Sequence, residues 1–209
     1  PYNNDKVDDE FYWAAAELFI TTGSDAYRAD LEASPYWSGD AFPVTGFDWG
    51  NVSALGRMSL ATVPNGLSAD EVEAARRSVI AAADGFIDAQ DNEPFGQIYA
   101  PPEHKYDWGS THLFVQNAIV VSRAYDFTGD AKYRDAALEA ADYVFGRNAL
   151  NISYVTGYGD HYAKNQHSRW FANQANADLP NPPKGSLAGG PNSSIQDPVA
   201  QRLLKGCAA

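Results

Sequence analysis

The sequence predicts an all-α fold, a toroid of α-hairpins whose long loops build a cleft. Five segments repeat apolar residues at the three- and four-residue spacing of a helix face, and no segment competes as a strand. Short turns such as residues 128 to 130 alternate with irregular stretches at about 23 to 47, 89 to 109 and 146 to 201. Long loops in a compact domain are usually functional, so we expect the site to lie on them.

Two helices are predicted in the first third of the chain. The first follows Asp8 and Asp9 and ends at Gly23, and its expected buried face comprises Phe11, Ala14, Ala15, Leu18 and Phe19. The second runs from about residue 51 to 60, although Gly56 inside it lowers its helix propensity.

Three further helices are predicted in the middle of the chain. Ser68 and Glu71 have the spacing of a capping box, and the helix that they open carries an apolar stripe at Val72, Ala75, Val79, Ala82, Ala83 and Phe86. From about residue 110 to 127 apolar residues surround the axis, which predicts an inner helix buried on most sides. After the turn at residues 128 to 130, an outer helix runs to about residue 145.

Composition and charge restrict the classes of function. With 209 residues, 44% of them hydrophobic and 13% aromatic, the chain can bury the core of one domain or of part of one. A net charge of −12 would repel phosphate backbones and anionic membrane surfaces, so no nucleic-acid or membrane partner is expected. The single cysteine, Cys207, excludes an internal disulfide framework.

One long motif carries the functional prediction. Residues 142 to 170 read DYVFGRNALNISYVTGYGDHYAKNQHSRW. The segment closely resembles glycoside hydrolase family 9, in which an outer helix ends in Gly-Arg-Asn, a Ser-Tyr-Val-Thr-Gly-Tyr-Gly loop follows, and a His and an Arg complete the motif. Four more segments resemble the family in the same order, at residues 8 to 23, 106 to 110, 124 to 133 and 185 to 202.

The resemblance implies a fold, an activity and a location. It implies an (α/α)6 toroid of six α-hairpins, with residues 1–209 as a partial catalytic domain. It implies an endoglucanase, a cellulase that hydrolyses β-1,4-glucan with inversion in an open cleft. Because cellulose is insoluble and extracellular, the protein is expected to be secreted. Alternatives are a cellobiose-releasing exo-cellulase, a non-catalytic carbohydrate-binding fragment and a polysaccharide lyase, although the motif argues against the last.

The resemblance places His167 and Arg169 in the cleft near the scissile bond. A His can hydrogen-bond a sugar hydroxyl, and the Arg fork can hold a carboxylate or a sugar oxygen. The alternative is a loop pair satisfied by backbone carbonyls. The family commonly has His-His-Arg where this chain has His167, Ser168 and Arg169, so the role of a second His cannot be assigned.

Aromatic residues near these motifs are candidate sugar contacts. Trp108 matches a family position that stacks on glucose, and Tyr106 and Trp170 are weaker candidates of the same kind. A lone Trp is otherwise more often part of a core or of hairpin packing.

The resemblance also implies a structural calcium site before the first helix, with Asp5, Asp9, Glu10 and Asp48 as expected ligands. Carboxylate oxygens suit this hard cation. The alternative is that the acidic residues stabilise the helix N-terminus through its dipole.

Neither catalytic carboxylate is expected within this chain. An inverting glycosidase needs a carboxylate base and a carboxylic acid about 6.5 to 9.5 Å apart. The family takes its base from an upstream Asp-rich motif and its acid from a downstream Glu motif, and neither occurs in residues 1 to 209. We therefore expect the chain alone to be inactive, with the remaining half of the domain as a candidate partner. Because five predicted helices are fewer than half of the twelve in six α-hairpins, inner helix faces lack partners, and we also expect the chain alone to be poorly stable.

Overall fold

The computed structural model describes residues 5–193 and 198–203, and Cys207 lies outside them. Over the described residues the chain is helical, with isolated bridges but no extended strand. The elements are α1 (Asp8–Thr22), α2 (Asp25–Ala33), α3 (Pro35–Ser38), α4 (Ser53–Thr62), α5 (Ala69–Asn92), a short 3-10 helix (Pro102–His104), α6 (Thr111–Thr128), α7 (Ala131–Phe145) and α8 (Pro198–Leu203). The all-α prediction is confirmed.

Two predicted helix boundaries have the expected local chemistry. Gly23 ends α1 with a left-handed φ of 66°, and its N–H donates to the Phe19 carbonyl at 2.8 Å. At the start of α5 the Ser68 N–H donates to Glu71 Oε2 at 2.8 Å, and the Glu71 N–H donates back to Ser68 Oγ at 3.3 Å. The capping box is therefore formed on both sides.

The prediction of an irregular stretch at residues 23 to 47 is wrong, because α2 and α3 lie within it. Leu31 is the only residue of α2 that is buried, so the apolar periodicity is too weak to indicate a helix. Local caps were the available signal, since Ser24 and Ser34 each accept a hydrogen bond from a backbone N–H two residues on. The stretch at 146 to 201 likewise contains the start of α8.

The predicted buried face of α1 is wrong in part. Phe11 is 71% exposed and Leu18 40% exposed, Ala14 is exposed as well, and all three line an open cavity of about 580 Å³. The buried residues are instead Asp9, Tyr12, Ala15, Ala16 and Phe19. This face packs on α4, where a Cβ at Gly56 would lie 3.0 Å from the Trp13 Cα. Gly56 is tolerated in α4 because it permits this close approach.

The two long middle helices differ in how well their burial was predicted. Much of the predicted stripe of α5 is confirmed, with Ala75, Val79, Ala83 and Phe86 buried. The expectation that α6 is buried on most sides is wrong, because Val115 is 37% exposed and Ile119 45% exposed. Helix α6 therefore has a solvent-exposed face despite its apolar composition.

The described chain divides into two compact units. One comprises residues up to Asp88 and Gln116–Ala137, and the other comprises Ala89–Val115 and the chain from Leu138 onwards. The first has a core around Tyr12, Ala16, Phe19, Leu31 and Leu60. The second has an aromatic core around Tyr99, Phe114, Tyr143 and Tyr154, with Phe114 and Tyr143 stacked 4.5 Å apart. That residues 1–209 act as one partial domain stays a prediction.

No helix among the described residues is long and apolar enough to span a bilayer.

Candidate functional site

The loop after α7 is held by one buried side chain, that of Asn148. Its Nδ2 donates to the carbonyl oxygens of Tyr143 at 2.9 Å and Ile152 at 2.8 Å. Its Oδ1 accepts from the Leu150 N–H at 3.1 Å. Because one amide joins the end of α7 to both sides of the turn, the Gly-Arg-Asn motif defines where the following loop begins.

Backbone hydrogen bonds then join the loop after α7 to a later segment. The Thr156 N–H donates to the Ser186 carbonyl at 2.9 Å, and the Ala188 N–H donates to the Tyr154 carbonyl at 2.8 Å. Two of the family-like segments therefore form one paired structure. It is too short to count as a strand pair, since only Val155 and Leu187 form a bridge.

The same later segment fixes the start of α6. The Thr111 N–H donates to the Gly189 carbonyl at 3.1 Å, and Ser110 Oγ donates to the Pro191 carbonyl at 2.6 Å. The Thr111 hydroxyl also donates to the Ala188 carbonyl. These bonds position the turn that carries Trp108.

The structure brings two of the predicted site residues together. The rings of Trp108 and His167 have centroids 5.3 Å apart and meet edge to face at 84°. Trp108 is 54% exposed, and His167 is also exposed. Both rings are therefore open to a ligand on the surface of this unit.

Residues on either side of Ser168 shape the end of the motif. Ser168 Oγ accepts from the backbone N–H groups of Trp170 at 3.2 Å and Phe171 at 3.0 Å. This serine therefore closes a turn where the family commonly has a second His. Arg169 is exposed and makes no hydrogen bond or ion pair with the described residues, and Trp170 is 69% exposed.

Tyr106 is placed differently from the other aromatic candidates. It is half-buried and packs on the aromatic core, with its ring stacked 6.2 Å from that of Phe114. Its hydroxyl accepts from Gln97 Nε2 at 3.1 Å. Burial, with a smaller contribution from the Glu93 carboxylate, raises the pKa of the Tyr106 hydroxyl against the opposing effect of Gln97. Its sugar contact stays a prediction.

The predicted calcium ligands lie in the first unit and do not converge as one group. Asp9 is buried and accepts from the Val52 N–H at 2.7 Å, whereas Asp48 accepts from the Gly50 N–H at 2.7 Å and Asp5 is exposed. Across residues 5–193 and 198–203, no three His, Cys, Asp or Glu side chains are arranged to hold a metal ion.

Asp9 and Glu10 nevertheless lie close to each other. A hydrogen bond with Asp9 is the first cause that raises the pKa of Glu10, followed by burial and by the charges of Asp9 and Asp8. Glu10 Oε2 is buried and has no hydrogen-bond partner within the described part of the chain. Two adjacent carboxylates with an orphaned oxygen favour a proton or a cation between them.

Gln166 and Asn148 are buried amides of this loop that the sequence did not single out as site residues. Both lie inside the recognised motif and both are buried, at 8% and 6% exposure. Their amide side chains within a loop motif were the only sign of a structural role. Whether such an amide is buried depends on segments distant in the chain, which the sequence does not show.

Fold and site together define an all-α protein of the (α/α)6 class that presents aromatic, His and Arg side chains on its loops. The chain belongs to glycosyl hydrolase family 9, because residues 1–202 match the sequence model of that family. Its fold aligns with a crystal structure of the family 9 endoglucanase J30 with a TM-score of 0.83 and 29% identity, covering 99% of this chain and 36% of that one.

Curated relatives show the same membership. Endoglucanase C of Cellulomonas fimi is 51% identical, covering 99% of this chain and 19% of the relative. A cellulose 1,4-beta-cellobiosidase of Acetivibrio thermocellus is 39% identical, and the match covers 98% of this chain and 25% of the relative. A xyloglucan-specific endo-beta-1,4-glucanase of Bacteroides ovatus is 32% identical, and the match covers 94% of this chain and 33% of the relative. The chain thus spans about a third or less of the length of these relatives.

Proposed function

We propose that this chain supplies part of the glucan-binding cleft of a secreted glycoside hydrolase that cleaves β-1,4-glucan. The observation that carries the proposal is the exposed pair of Trp108 and His167, whose ring centroids lie 5.3 Å apart. Family membership and the names of the relatives, which include endoglucanases and a cellobiosidase, supply the substrate class.

Each exposed side chain has a role suited to its chemistry. The Trp108 ring offers a flat apolar face to a glucosyl ring. His167 can donate or accept a hydrogen bond with a sugar hydroxyl, according to its tautomer. Arg169 can hold a sugar oxygen or orient a catalytic carboxylate through its fork. Trp170 extends the aromatic surface at the end of the motif.

The proposed reaction is hydrolysis with inversion. A base removes a proton from water, the water oxygen bonds to the anomeric carbon, and an acid protonates the leaving glycosidic oxygen. Glu103, Asp107 and Asp160 are exposed carboxylates on the loops, and we assign none of them to either role. The 209-residue chain is therefore proposed to bind glucan without cleaving it.

Endo action is proposed ahead of release of cellobiose from chain ends. The relative with the higher identity, at 51%, is named an endoglucanase, whereas the cellobiosidase is 39% identical. AaCel9A, to which the chain is similar with a TM-score of 0.79 and 28% identity, has been solved in complex with a cellobiose-like isofagomine, which supports a cellobiose-sized ligand for the site.

Calcium is proposed as a structural ion held by Asp9 and Glu10, with Asp5 and Asp48 as further predicted ligands. The buried Glu10 Oε2 has no hydrogen-bond partner among the described residues, and the neighbouring Asp9 carboxyl raises the pKa of Glu10; both observations support this assignment. Excess calcium should raise the melting temperature by a few degrees, because an ion that binds only the folded state stabilises it. Glu10→Gln should abolish that rise, and an equal rise with magnesium would contradict the assignment.

The experiment that tests the main proposal is calorimetric titration of the 209-residue chain with cellohexaose. We expect binding that weakens by about tenfold or more in His167→Ala and in Arg169→Ala, since each removes a polar sugar contact. His161→Ala is the matched control, because His161 is also an exposed histidine of the motif but is not a member of the ring pair. Absence of binding by the unaltered chain would contradict the proposal, and release of reducing sugar would contradict the placement of the carboxylates.

A further inference from the structure

The side chain of Gln166 is buried immediately before His167. Its Nε2 donates to Thr156 Oγ1, and it reaches the carbonyl oxygens of Ala163 and Ser186 at 3.4 Å each. These acceptors belong to the loop after α7 and to the segment paired with it. One amide therefore ties the backbone beside His167 to both.

The neighbours of Gln166 determine which way its amide faces. The Thr156 hydroxyl donates its hydrogen to the Ala163 carbonyl at 3.0 Å, so the Thr156 oxygen can only accept from Gln166. The other two neighbours are carbonyl oxygens, which cannot donate. A flipped amide would direct Oε1 at three acceptors, so Nε2 must face them.

The same orientation leaves Gln166 Oε1 buried and without a hydrogen-bond partner among the residues that the structure describes. A buried acceptor with no partner opposes folding, and an apolar side chain of similar size would avoid that cost. Packing alone therefore gives no reason for a glutamine here.

His167 is anchored on both sides. The Gln166 carbonyl accepts from Gln174 Nε2 at 3.4 Å, and on the other side the Ser168 hydroxyl closes the following turn. The imidazole contacts Trp108 but is itself exposed. Its position therefore depends on its neighbours in the chain rather than on its own packing.

We propose that Gln166 is a positioning residue that holds His167 against Trp108 and so orients the imidazole towards a glucosyl hydroxyl. The inference rests on the proposed function for the substrate, but the contact between the two rings can be measured separately. Fixing a binding group before the ligand arrives removes an ordering cost from association, and small misplacements of such groups weaken function strongly.

The sharpest test is Gln166→Glu, which keeps the size of the side chain and replaces its donor with an oxygen. At pH 7.5 the carboxylate faces three acceptors, whereas at pH 4 a bound proton restores one donor. We would measure the nuclear Overhauser effect between the Trp108 and His167 rings, and the affinity for cellohexaose, at both values and against the unaltered chain. At pH 7.5 we expect a weakened ring contact and affinity reduced about tenfold, and both should recover towards the unaltered chain at pH 4.

Gln90→Glu is the matched control for general loss of stability. Gln90 is buried in the same unit and donates to the Gly96 carbonyl at 2.9 Å. The Gln90→Glu substitution should leave the contact between the Trp108 and His167 rings and the affinity for cellohexaose unchanged. The proposal is overturned if Gln166→Glu keeps both at pH 7.5, or if Gln90→Glu alters them equally. If the unaltered chain does not bind cellohexaose, the proposed function fails, while the ring contact still decides the role of Gln166.

Discussion

The indole of Trp108 and the imidazole of His167 meet edge to face, with ring centroids 5.3 Å apart. The two residues come from separate family-like segments, and hydrogen bonds from the segment at residues 185 to 193 hold the turn that carries Trp108. This contact joins an aromatic sugar platform to a polar group, and it is the basis for the first prediction.

Replacing Trp108 by Ala should weaken cellohexaose binding about tenfold, equivalent to about 1.4 kcal/mol. Stability should change by no more than about 1 kcal/mol, because the side chain is 54% exposed. Titration calorimetry and urea unfolding measure the two effects. Trp49→Ala is the control, since Trp49 is 58% exposed in the other unit. A large loss of stability with unchanged binding would show that Trp108 is a packing residue.

Replacing Asn148 by Ala should destabilise the chain by about 2 to 4 kcal/mol, because the buried Tyr143 carbonyl and the partly buried backbone groups of Leu150 and Ile152 lose their partner. Urea unfolding measures the change. Asn151→Gly provides the comparison, because Asn151 is exposed with a left-handed φ of 48° that glycine adopts readily. We expect that variant to lie within about 0.5 kcal/mol of the unaltered chain or to be slightly more stable. Equal losses in the two variants would argue against the role of Asn148.

Replacing Gly190 by Ala should cost more stability than replacing Gly185. Both have left-handed φ, at 77° and 93°, so each substitution strains the backbone by about 1 to 2 kcal/mol. A Cβ at Gly190 would also overlap the methyl group of buried Thr111, whereas nothing lies within 4 Å of one at Gly185. The difference should be about 1 to 3 kcal/mol in thermal or urea unfolding. Similar costs would mean that Thr111 can move aside.

The decrease in the free energy of unfolding at acidic pH should depend on Glu71. Hydrogen bonds from Ser68, with the help of Arg28, hold the pKa of Glu71 below its usual value. A carboxylate with a lowered folded-state pKa stabilises the fold above the unfolded-state pKa, and that contribution disappears as the pH falls through the folded-state value.

Glu71→Gln should therefore cost about 0.5 to 1 kcal/mol at pH 7, from a partly exposed ion pair and cap, and less at pH 3. Urea unfolding at both pH values measures it. Glu73→Gln is the control, because Glu73 lies 3.8 Å from Arg77 at an exposed site. The same cost for Glu71→Gln at both pH values would contradict the assignment.

Much of the fold could be predicted because its signals are local. Gly23 ends α1, and Ser68 and Glu71 open α5, through contacts within a single turn. The motif at residues 142 to 170 likewise indicated the family before any contact was known.

The tertiary structure decided which of several chemically similar options is used. Helix α1 carries apolar residues on two faces, and only packing on α4 buries Tyr12 rather than Phe11. Tyr106 and Trp108 are two residues apart, yet one packs in the aromatic core and the other is exposed. Composition and periodicity indicate which residues a segment can bury, but whether they are buried depends on partners distant in the chain. The contact between Trp108 and His167 depends on distant segments in the same way.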